Sequence, residues 1–118
     1  MSLDVYLTDK RAACKHCGRA AEEVEIYSAN ITHNLNVMAE EAGIYKHLWR
    51  PEENGITKAK QLIKPLRAAV AAMKSDPPRF EKHNAANGWG TYKVFLPWIE
   101  EYLAACERNP HAYVSVSR

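Results

Sequence analysis

Long apolar runs are missing from this chain of 118 residues. No stretch approaches the ~20 consecutive apolar residues that a bilayer-spanning helix requires, so no transmembrane segment is expected. The opening "MSLDVYLTDK" lacks a basic start followed by a long apolar core, which argues against a secretory signal. Charge of one sign is also lacking. The formal net charge is +2, too little to draw nucleic acid or an anionic membrane surface. Neither GxxxxGKS/T nor GxGxxG occurs, so the sequence carries neither of these phosphate-binding loops. There is no second CxxC, no HxxxH, no internal repeat and no low-complexity tract. Cysteine is scarce and odd in number, at three. Three thiols cannot all pair within one chain, and without an export signal they read as reduced thiols or metal ligands in a cytosol.

What is present is an ordinary globular balance, 47% apolar and 25% charged, enough for a single domain over 1–118 with one core. Leu3, Val5 and Leu7 alternate with Asp4, Tyr6 and Thr8, the period-two pattern of a strand. "EVEIYSANI" alternates again, with Val24 and Ile26 on one face, so the two segments read as an antiparallel pair joined by the loop 9–21. From Thr32, a candidate N-cap, Leu35, Met38, Ala39 and Ala42 recur at helical spacing until Gly43. "GIYKHLWRPEENG" reads as a short helical turn and a loop. Thr57 is a candidate cap for a helix carrying Leu62, Ile63, Leu66, Val70 and Met73, with Pro65 either kinking it or starting a second. "RFEKH" reads as one more turn. After the loop "NAANGWGTY", Val94, Phe95, Trp98, Ile99, Tyr102, Leu103 and Cys106 mark a last helix, capped by Thr91 and interrupted by Pro97. "AYVSVSR" alternates as a final strand. The expected fold is α+β: a small three-stranded antiparallel sheet, the N-terminal hairpin plus the C-terminal strand, covered on one face by three or four helices.

The phrases "SLDVYL", "YSANITHNL", "GIYKHLWRPEE", "NGWGTY" and "VSVSR" together resemble a largely uncharacterised family of small proteins encoded in bacteriophage and bacterial genomes. The resemblance covers most of the chain outside the loop from Asp9 to about Glu22. It implies a bacterial or phage-infected cytoplasmic setting and brings no reaction with it. It also implies that the loop is the part that differs most among relatives.

Four places carry candidate chemistry. Cys14 and Cys17, with Gly18 after them, have the spacing of half a zinc site. The missing ligands would come from His16, His33 or Cys106, although Cys106 also suits a packed helix face. In "ANITHN", Asn30, Thr32, His33 and Asn34 sit where a strand meets a helix. Free N–H groups there favour an anion, and His33 offers a donor or general base. The blander reading is a capped helix with a structural histidine. In "LWRPEE", Trp49 and Arg50 offer a stacking face and a planar fork for carboxylate or phosphate; otherwise Trp49 anchors the loop and Arg50 pairs with Glu52 or a neighbouring acid. In "NGWGTY", Asn87 and Trp89 lie among glycines that let a ligand approach the backbone, or the segment is simply a helix-entry loop with Trp89 in the core. Lys60, Lys64, Arg67 and Lys74 align on one helix face without interleaved aromatics, so they read as a solvated surface.

These readings converge on a pocket where the three polar phrases meet, bordered by Asp4 or Tyr6. The expected function is a non-enzymatic binding protein that occupies a host partner or small ligand, as a counter-defence inhibitor would. One alternative is a small enzyme acting on a nucleotide or phosphate-containing substrate through His33 and Arg50. Another is a module stabilised by zinc at Cys14 and Cys17. A homodimer through an edge strand or helix face is compatible with a three-stranded sheet.

Overall fold

The first strand, β1 (Ser2–Lys10), lies at the centre of the sheet, with β2 (Glu23–Thr32) on one side and β3 (Tyr113–Ser117) on the other, both antiparallel to it. The computed structural model describes residues 2–10, 23–84, 88 and 90–118. The β1 alternation performs as the sequence implies: Leu3, Val5 and Leu7 are fully buried on the helix side, while Asp4 and Tyr6 face away. In β2 the sequence expectation needs correction. Ile26 is the extra residue of a bulge opposite Leu7–Thr8 and is 40% exposed. The core face of β2 is made by Tyr27, Ala29 and Ile31 instead. An inserted residue shifts the parity of every side chain beyond it, and period-two reading cannot detect this.

Between β2 and β3, among the described residues, run five α-helices and two 3-10 turns, more helices than the three or four expected. A 3-10 turn (His33–Leu35) leads into α1 (Asn36–Glu41), followed by α2 (Tyr45–Trp49) and a second 3-10 turn (Pro51–Asn54). Then come α3 (Lys60–Ser75), α4 (Pro77–Glu81) and α5 (Tyr92–Arg108). Arg67 pairs with Glu107 and Lys74 with Glu100, so α3 and α5 lie antiparallel. Leu62, Leu66, Ala69 and Met73 of α3 meet Phe95, Ile99, Tyr102 and Cys106 of α5 in one core over the sheet. Pro65 and Pro97 stay inside continuous helices. Each falls in the second turn, where its ring removes a single i to i−4 bond.

The caps differ from the sequence expectation. Gln61, rather than Thr57, secures α3: its Oε1 accepts from the N–H groups of Thr57 (2.8 Å) and Lys58 (2.9 Å). Thr91 precedes α5 without a side-chain cap bond, and Asn84 Oδ1 accepts from Tyr92 N–H at 2.8 Å in its place. The segment before α3 also covers the outer edge of β3. Val114 N–H donates to Thr57 C=O, and Ala59 N–H to Ala112 C=O, both at 2.9 Å. This occupies backbone groups that would otherwise invite another strand.

Candidate functional site

Strand pairing sets the frame. Ser2 lies opposite Thr32, and Asp4 lies between Asn30 and Ser117. The start of β1 and the ends of β2 and β3 therefore share one end of the sheet. The chain leaves that end through the turn at His33 and returns to it at Trp49, Gly90 and Arg118.

Trp49 is the anchor. It is 1% exposed, so its ring presents no open face to a ligand and the stacking role expected of it is not available. Its indole packs against Tyr45 (centroids 5.4 Å apart, planes 18° apart) and meets His33 edge-on. The indole Nε1–H donates to His33 Nδ1 at 3.2 Å. Indole nitrogen is a donor only, so Nδ1 must be the accepting nitrogen and neutral His33 carries its proton on Nε2. His33 is half-buried, and none of the described residues accepts from Nε2.

Gly90 closes the other side. Its φ is +100°, a region that side chains disfavour. A Cβ placed there would stand 3.1 Å from Thr32 Cγ2 and 3.2 Å from both Asn34 Cβ and Leu35 Cγ. Glycine thus allows this loop to seat on the His33 turn. The structure brings "ANITHN" into contact with "LWRPEE" through Trp49 and with "NGWGTY" through Gly90. Asn87 and Trp89, like Cys14, His16 and Cys17, lie outside the described residues.

Compared with family models, with curated proteins and with solved structures, the chain finds no match in any of the three. The functional reading therefore rests on the geometry of this corner.

The remaining polar groups there are largely engaged with one another. Asn30 Nδ2 donates to Asp4 Oδ1 at 2.7 Å, and the Asn30 carbonyl accepts from Trp98 Nε1–H at 3.1 Å. Arg50 pairs with Glu53 at 2.9 Å. The Glu53 hydrogen bond, followed by one to Tyr45, holds that guanidinium protonated still more firmly than usual. Arg118 bridges two groups: its Nη1 donates to the Trp49 carbonyl at 3.0 Å and meets Glu52 Oε1 at 2.6 Å. A backbone N–H, and then Arg118, hold the Glu52 carboxyl below the usual carboxylate range.

The helix-start anion site read from the sequence lacks its physical basis. The first turn is a three-residue 3-10 segment leading into a six-residue helix, and the Asn34 N–H is taken by Thr32 Oγ1 at 3.4 Å. So short an element aligns few peptide dipoles. The metal expectation also loses two remote ligands. His33 Nδ1 is occupied by Trp49, and Cys106 is fully buried. Burial, helped by Glu107, pushes the Cys106 thiol up to about 12 and keeps it protonated. Among the described residues no group of three His, Cys, Asp or Glu side chains is placed to hold an ion. No helix among them is long and apolar enough to cross a membrane.

Two participants escape sequence reasoning. Tyr45 lies four residues before Trp49 on α2, a spacing that signals a helical side-chain pair. Arg118 gives no local signal, because its partners lie 69 and 66 residues away. One shallow cleft, of about 310 Å³, is lined by Glu40, Gly43, Tyr45 and Lys46, and another, of about 280 Å³, by Glu81, Asn84, Thr91, Tyr92 and Lys93. His33 lines neither.

Proposed function

We propose that this chain is a small binding protein without chemistry of its own, occupying a partner or small ligand in a bacterial or phage-infected cell. The observation that supports this is the mutual engagement of polar groups around His33. Trp49, Arg50, Asn30 and Arg118 each already have a protein partner, leaving His33 Nε2–H as a donor without one among the described residues. A catalytic site needs a second acid–base or nucleophilic group within reach of the first. A recognition site needs only ordered donors and acceptors. The alternative of a nucleotide- or phosphate-directed enzyme draws less support, since Arg50, its anion clamp, is committed to Glu53.

Beside this corner lies the face of the sheet opposite the helices. Asn30, Asp4 and Ser117 form one cross-strand row, and Ser28, Tyr6 and Ser115 the next. Asn30, Ser28, Ser115 and Ser117 are exposed. Small polar side chains on a rigid sheet offer hydrogen bonds without the entropy loss of long ones. The test is affinity capture from a bacterial lysate with the wild type, H33A and S28K/S115K, each first shown to be folded. A partner retained by the wild type and lost by either variant supports the reading. Capture that is indifferent to both variants, or no capture at all, overturns it.

A further inference from the structure

We infer that His33 is held as a fixed Nε2–H donor for a ligand oxygen and that Arg118 is the positioning residue that keeps it so. The ligand class rests on the reading of this corner as a binding site; the positioning role does not.

The argument follows a chain of contacts. Neutral histidine in water exchanges between two tautomers, and whichever nitrogen is hydrogen-bonded decides the outcome. Here one nitrogen faces a donor that cannot accept, the Trp49 indole, at 3.2 Å. The indole is itself immobilised, buried and stacked on Tyr45. The same residue's carbonyl is tied from outside by Arg118, which sits just past β3 and is braced by Glu52. The ordering thus runs from the end of β3 through the Trp49 backbone and ring to the imidazole. A ligand meeting Nε2 meets a hydrogen and must present a lone pair. A donor such as an ammonium group finds no acceptor there.

The two parts have separate tests. Long-range 1H–15N spectroscopy of the full chain, under conditions where His33 is neutral, reports each ring nitrogen directly. The expected wild-type pattern is an unprotonated Nδ1 and a protonated Nε2. A tautomer mixture, or a proton on Nδ1, overturns the fixed-donor assignment. R118A removes the guanidinium that ties the Trp49 carbonyl to Glu52; it is expected to move His33 toward a tautomer mixture, with R118K restoring part of the wild-type pattern. His33 signals unmoved in R118A overturn the positioning role. W49F, if it folds, should release the tautomer fully, and R118A decides the matter if W49F does not.

The ligand class is tested by titrating wild type with inorganic phosphate, using tetramethylammonium chloride at matched ionic strength as control. A saturable shift of Nε2–H with phosphate alone supports it. No shift, or the same shift with both salts, overturns it while leaving the tautomer result intact.

Discussion

At the scale of single residues, His33, Gly90 and His47 each do something their neighbours in sequence do not explain. Gly90 holds a positive φ against the Thr32–Leu35 turn. G90A combines backbone strain with tight contacts to the Thr32–Leu35 turn and is expected to lose about 1–3 kcal/mol of stability, read by urea denaturation. A loss close to zero would mean the loop does not seat there. His47 is different. Its Nδ1 is buried without a partner, and burial, then Lys46, lowers its pKa below the usual value of 6.5. The folded state therefore resists a proton that the unfolded state accepts. Stability from this source is complete above a pH of about 6.5 and is lost as pH falls from there toward the folded pKa. The expected result is a melting temperature that declines over that window and declines less in H47Q. Equal slopes for the two proteins would remove His47 as the cause.

At the scale of elements, the entries to both long helices are held by side chains other than the expected caps. Gln61 reaches back from the first turn of α3, its Oε1 accepting from Thr57 and Lys58 N–H and its Nε2 donating to the Gly55 carbonyl at 3.1 Å. Asn84 reaches forward to the first residue of α5, eight positions on. Capping side chains of this kind are worth about 1 kcal/mol. Q61A is expected to lose about 1–2 kcal/mol in chemical denaturation, and T57V, which removes the residue that sequence nominates as the cap, much less. The reverse order would restore Thr57 to that role. The bulge at Ile26 also acts at this scale, turning the following core face over to Tyr27, Ala29 and Ile31.

At the scale of the whole molecule, one core joins β1, β2 and the five described helices, and Cys106 lies inside it, fully buried. A protonated, inaccessible thiol reacts only when the core opens. Alkylation at Cys106, followed by peptide mass mapping, is therefore expected to be negligible in the native protein. It should rise along the same denaturant curve as tryptophan fluorescence. Reaction well before that transition would show that α5 detaches on its own. The same scale explains why the site is only partly legible in sequence. The polar phrases at 29–34, 48–53 and 87–92 stand out because a core has little use for them, and the structure brings Thr32–His33, Trp49 and Gly90 to one end of the sheet. Their roles were less legible. Trp49 and Arg50 look alike as binding residues in sequence, yet one is buried against His33 and the other is spent on Glu53.

The sequence by itself determined the strands, the amphipathic stripes of α3 and α5 and the α+β class, because side-chain period follows backbone geometry and is written locally. It also nominated the turn at Thr32. Tertiary structure decided what periodicity cannot encode: the bulge in β2, the Gln61 and Asn84 bonds that hold the entries to α3 and α5, and above all the tautomer of His33. That last depends on an indole 16 residues away and an arginine a further 69 residues on. Such contacts form when packing brings distant segments together, and the local pattern around His33 is the same whether or not Trp49 arrives.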